Sequence, residues 1–229
     1  MQAVTVGLDI LLTEQLARLH GKRVGLLTNS SGVSHQPAHH LQANYLALRD
    51  AGVNLVALFS PEHGLAGAVA DGDSVASGRE PRTGLPIHSL YGNILKPTPD
   101  MLRAVDVLLY DIQDVGVRFY TYTATLALAL EACAQNHVPL VVLDRPNPIN
   151  GVTLEGPLLD PSLQSFVGHG PLLLRYGLTL GELARFYNAE LRIGAELDVI
   201  AMRSWRRAMW YDETGLQWIQ TSPSMPHLS

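Results

Sequence analysis

A glutamate and a histidine stand side by side in S-P-E-H-G, residues 60–64, directly after an apolar run. A carboxyl group at the end of a buried strand is partly desolvated, which favours its protonated form and suits Glu62 to general acid work. His63 would orient that carboxyl or bind a substrate hydroxyl. The structural alternative is that Glu62 caps the turn and His63 packs against the loop. A second group lies in D-I-Q-D-V-G-V-R, residues 111–118. Asp111 and Asp114 bracket Gln113 and suit a sugar, a metal or a guanidinium; equally, one of them pairs with Arg118 and fixes the loop. In D-R-P-N-P, residues 144–148, two prolines fix φ and stiffen the turn that carries Arg145 and Asn147. Asn29 and Ser30 open a further polar stretch after another apolar run.

The elements that must hold these residues follow from hydropathy. Runs at 22–28, 54–60, 106–112, 139–144 and 197–202 are continuously apolar rather than alternating, as expected of parallel strands covered on both faces. Helical spacing predicts helices over 39–50, 121–136 and 179–190, the first stopped by Gly52 and the last opened by a Thr179/Glu182 capping box. Strands alternating with helices predict an α/β fold, a Rossmann-like open and mostly parallel sheet with helices on both faces. Residues 64–99 show little periodicity beyond one short strand near Ile87, and so long an irregular segment is usually functional. In such a sheet ligands bind outside the carboxyl ends of the strands, where all four polar groups fall.

Composition narrows the classes. The 229 residues are 47% hydrophobic and 16% charged, enough apolar material for a large core. Net charge is −5 with no basic cluster, which argues against a nucleic-acid partner. No apolar run reaches the roughly 18 residues of a membrane span. The lone Cys133 excludes an internal disulfide and a zinc-type cysteine set. No G-x-G-x-x-G supports a dinucleotide and no G-x-S-x-G supports a serine hydrolase. His35, His39 and His40 read as solvated surface before they read as a metal site. Trp205, Trp210 and Tyr211 read as core before they read as a sugar platform.

Several ordered motifs resemble one family. G-K-R-V-G-L-L-T-N-S-S-G (21–32), L-F-S-P-E-H-G-L-A-G (58–67), G-L-P-I-H-S-L-Y-G (84–92), D-I-Q-D-V-G-V-R-F-Y-T-Y (111–122), L-D-R-P-N-P-I (143–149) and E-G-P-L-L-D (155–160) are similar to the DUF1343 family. That family contains exo-β-N-acetylmuramidases of the NamZ type. The resemblance implies a Rossmann-like catalytic domain over 1–229 without the smaller second domain that follows in the family. It implies a glycosidase that removes terminal non-reducing N-acetylmuramic acid from peptidoglycan fragments, without a cofactor or metal. Two carboxyls normally flank a scissile glycosidic bond. Glu62 is expected as general acid/base, with Asp111, Asp114 or Glu155 as the second carboxyl. His63, Arg118, Arg145 and Asn147 would hold hydroxyls and the lactyl carboxylate of the sugar, since a guanidinium binds carboxylate bidentately. Asn29, Ser30 and Tyr120 complete the expected substrate-binding set. A non-catalytic saccharide binder and a metal-dependent hydrolase using Glu62, His63, Asp111 and Asp114 remain as alternatives. The N-terminus lacks signal-peptide features, which reads as cytoplasmic, while secreted relatives in the family imply a periplasmic or extracellular address. Sequence leaves the oligomeric state open.

Overall fold

The computed structural model describes residues 3–70, 72–73, 75–225 and 227. A helical turn α1 (Gly7–Ile10) leads to β1 (Val24–Thr28), α2 (Asn44–Asp50) and β2 (Leu55–Ser60). Two short strands follow, β3 (Gly78–Arg79) and β4 (Pro86–Ser89), then α3 (Pro99–Leu102) and β5 (Val107–Asp111). The chain closes with α4 (Tyr122–Asn136), β6 (Leu140–Leu143), α5 (Leu180–Glu190) and β7 (Leu197–Ile200). The strands form one sheet in the order β3-β4-β2-β1-β5-β6-β7, parallel throughout except for β3 against β4. Setting β3 aside, the six parallel strands follow the doubly wound order 3-2-1-4-5-6. The fold is α/β with an open, mostly parallel sheet, as the apolar runs predict.

Successive strand residues point to opposite faces. Leu27, Phe59, Leu108 and Tyr110 therefore pack with Leu126 and Leu130 of α4 and Leu183 and Tyr187 of α5. Their neighbours Leu26, Leu58 and Leu109 pack on the other face with Leu8, Leu11 and Leu48. Both faces are covered, so the central strands β1, β2, β5 and β6 read as near-continuous apolar blocks.

One predicted boundary moves and one strand is added. The helix expected over 39–50 begins only at Asn44. Before it, Pro37–His39 forms a 3-10 turn, Leu41 is left-handed (φ 55°), and the 34–42 segment folds back through Ser34–Gln42 and Leu41–Ser34 backbone bonds. Asn44 is wholly buried and its amide is committed to the sheet edge, which fixes where the helix can start. The irregular 64–99 stretch holds β3 as well as the expected strand at Ile87. Gly52 follows α2 with φ 83°, the left-handed stop its position predicts. Among the described residues no helix is long and apolar enough to cross a membrane.

Candidate active site

Strand β2 delivers Glu62 and His63 to the carboxyl edge of the sheet, where they are 7% and 4% exposed. His63 and Gly64 are both left-handed, with φ of 68° and 75°. The His63 ring Nδ1 meets the Val69 carbonyl at 2.9 Å, and the Val69 N–H returns to the His63 carbonyl. This tight reversal turns Glu62 towards the start of α4. There the Thr121 hydroxyl donates to Glu62 Oε2 at 2.7 Å, and the Gly72 N–H donates to Oε1 at 3.2 Å. Both carboxylate oxygens are thus oriented by neighbours rather than left to rotate.

A cavity of about 300 Å3 opens against this carboxylate, walled by Glu62, His63, Phe119, Tyr120, Thr121, Val167 and Ser222. Phe119 and Val167 are more than half exposed and give it one apolar wall. A cavity with an apolar wall and a few fixed polar groups suits a small amphipathic ligand, and a pyranose has that character.

The other strand-end polar residues are bonded within the protein. Asp111 is fully buried, takes Arg145 Nε at 2.6 Å and Nη2 at 3.0 Å, and accepts from Asn44 Nδ2 at 2.7 Å. Arg145 also donates to the Val33 carbonyl, so its fork is spent on protein. Asp114 accepts from the Gly116 N–H at 2.7 Å and from the Tyr176 hydroxyl, while its Oδ1 has no partner among the described residues. Burial pushes the Asp114 carboxyl up to about 6, against the opposing pull of those hydrogen bonds. Asn29 bridges the Tyr122 hydroxyl and the Thr221 carbonyl, and Ser30 reaches the Gln220 carbonyl. Asn147 donates to the Leu178 carbonyl and accepts from the Ile149 N–H.

Three expected site residues, Glu62, His63 and Tyr120, therefore share one cavity wall. Asn29, Ser30, Asp111, Asp114, Arg118, Arg145, Asn147 and Glu155 are not among its lining residues. The ion pair considered for Arg118 is replaced by another: Asp111 pairs with Arg145, and Arg118 donates to the Pro157 and Leu172 carbonyls. Glu155 lies apart, mostly exposed and paired with Arg175 at 2.8 Å. Sequence reasoning missed Phe119, Thr121, Val167 and Ser222. Phe119 and Thr121 flank Tyr120 in V-R-F-Y-T-Y, and that adjacency was the available signal.

Of the weaker candidates, His39 bonds Gln42 and His35 approaches the Gln217 carbonyl. Among the described residues no three His, Cys, Asp or Glu side chains converge to hold a metal ion. Trp210 and Trp205 lie under Arg175 and Arg207, and Tyr211 is buried against Trp218, so the three form no single platform.

Comparison with known proteins shows the family of the chain. A family model described as "Exo-beta-N-acetylmuramidase NamZ, N-terminal" matches residues 24–229. Peptidoglycan beta-N-acetylmuramidase NamZ of Bacillus subtilis (strain 168) is 47% identical over 223 residues, covering 97% of this chain and 53% of that protein. A crystal structure of a DUF1343 family protein from Bacteroides fragilis NCTC 9343 superposes with TM-score 0.90 at 45% identity, over 98% of this chain and 56% of that one. A second from the same organism gives 0.75 at 34% identity, over 92% and 55%. The chain spans about half the length of these relatives. With a match over nearly all of its length in sequence and in fold, the chain belongs to the NamZ (DUF1343) family, as its N-terminal part.

Proposed function

We propose that this chain carries the bond-cleaving site of an exo-β-N-acetylmuramidase, acting on the terminal non-reducing N-acetylmuramic acid of peptidoglycan fragments. The observation that carries the reading is Glu62: a nearly buried carboxylate, oriented at both oxygens by Thr121 and Gly72, facing a sugar-sized cavity. The substrate class comes from the name of the Bacillus subtilis relative.

In this reading Glu62 gives its proton to the glycosidic oxygen as the C1–O bond breaks. The resulting carboxylate then takes a proton from the water whose oxygen adds to C1. His63 and Tyr120 hold hydroxyls at the cavity wall. Of the three expected second carboxyls, Asp114 fits best. Asp111 is neutralised by Arg145, and Glu155 is held outward by Arg175. Asp114 has an oxygen with no partner among the described residues and lies close enough for its charge to push the Tyr120 hydroxyl further up. Asp111, Arg145, Asn29 and Asn147 serve as the rigid floor of the site, while Ser30 fastens the 217–225 segment and Arg118 the 157–172 loop.

The test uses the purified chain with a muramyl disaccharide and a chromogenic β-N-acetylmuramide. Wild type releases N-acetylmuramic acid with or without a chelator, and Glu62→Gln lowers turnover by about 10²–10⁴-fold while retaining saccharide binding. Normal turnover in Glu62→Gln would sink the assignment. Saturable binding without sugar release would show a binder instead.

A further inference from the structure

Segment 217–225 is tied as a strap to the residues that follow β1 and to the start of α4. The Tyr122 hydroxyl donates to the Thr221 carbonyl at 2.7 Å, and Asn29 Nδ2 reaches the same oxygen at 3.3 Å. The Tyr120 hydroxyl donates to Thr221 Oγ1 at 2.7 Å, and Ser30 Oγ to the Gln220 carbonyl at 3.3 Å. The next residue is also tied through its backbone: the Ser222 carbonyl accepts from Gln220 Nε2 and from the Met225 N–H, both at 3.0 Å.

The Ser222 side chain is the exception in this bonded network. The residue is 1% exposed, yet its Oγ completes no hydrogen bond among the described residues. It lies close enough to the Tyr120 hydroxyl to favour that group's ionised form, yet outside hydrogen-bond geometry, and it lines the cavity that Glu62 faces. A buried hydroxyl without a partner is destabilising, so a fold gains nothing from keeping one at a rigid position. A ligand that supplies the missing partner gives it a use.

We propose that Ser222 Oγ is a saccharide-binding group, completing its hydrogen bond with a ring hydroxyl or acetamido oxygen of a pyranoside whose apolar face rests on Phe119. The assignment rests on the muramidase reading above and extends it to a residue on the strap. It makes two demands that a structural role does not. Removing the hydroxyl must weaken ligand binding, and it must leave the fold as stable as before or more so.

The experiment measures both in the same samples: calorimetric titration with N-acetylmuramic acid and with the muramyl disaccharide, and the thermal midpoint without ligand. Ser222→Ala weakens binding about two- to tenfold, the range of one neutral hydrogen bond, with an unchanged or raised midpoint. Ser222→Cys, which keeps the volume but bonds weakly, shifts affinity in the same direction. Thr221→Val, which removes the acceptor of Tyr120, lowers the midpoint and shows that this readout detects strap bonds. Wild-type affinity in Ser222→Ala overturns the assignment alone, and so does a midpoint several degrees lower. A wild-type chain that binds neither saccharide overturns the muramidase reading and the Ser222 role together.

Discussion

Three carboxyls near one sheet edge end in three different electrostatic situations. Glu62 is oriented by a hydroxyl and a backbone N–H, Asp111 is neutralised by a guanidinium, and Asp114 is bonded to the Tyr176 hydroxyl with no ion pair among the described residues. Sequence placed all three at strand ends but gave no means of telling them apart. The partners that decide their chemistry are Thr121, Arg145 and Tyr176, between 34 and 62 residues away in the chain. Ser222, on the strap, was invisible for the same reason. Asp114 has a measurable consequence. Its carboxyl is raised from 3.8 to about 6 by burial, so between those values the native state keeps a proton that the unfolded chain releases. That group's contribution to stability is fully present below about pH 4 and is lost as pH rises through about 6, a change on the order of 3 kcal/mol for two pH units. Asp144 is raised similarly and adds in parallel, so the comparison must be with a variant. Across pH 4–7, the urea-unfolding free energy of wild type minus that of Asp114→Asn falls through this window and is flat above it. A difference independent of pH would show that Asp114 does not titrate there.

Elements were more legible than partners. A strand covered on both faces must be apolar at every position, and the runs ending at Thr28, Ser60, Asp111 and Leu143 announce themselves that way. Capping chemistry is local, so Thr179 and Glu182 could be read directly, and both halves of the box are formed. The start of α2 was not legible because the side chain that sets it, Asn44, answers to Asp111 across the sheet. Thr179 also donates to Asp144 Oδ2 at 2.9 Å, which ties α5 to the end of β6. Thr179→Ala is therefore expected to cost about 1–2 kcal/mol in urea unfolding, with Thr179→Ser recovering most of it. A loss below a few tenths would mean that packing, not the cap, fixes this helix.

At the scale of the molecule, the strand order is that of dinucleotide-binding sheets, whose ligand crevice lies where the order reverses, here between β1 and β5. The chain fills that crevice itself. A Cβ on Gly32 would lie 2.3 Å from Asn44 Nδ2 and 2.4 Å from Thr28 Oγ1, so even a methyl group has no room. The candidate cavity is displaced one strand over, to the end of β2. Millimolar NAD⁺ or NADP⁺ should accordingly leave the thermal midpoint unchanged, because only a ligand that binds the native state raises it. A rise of several degrees would show that the crevice opens.

The buried Asp111–Arg145 pair also constrains how this sequence can vary by descent. Losing either partner strands the other's charge in the interior, at about 3–5 kcal/mol, whereas an apolar pair of matching volume is tolerable. Two codons 34 positions apart are thereby bound into one hereditary unit, free to drift together and penalised for drifting singly.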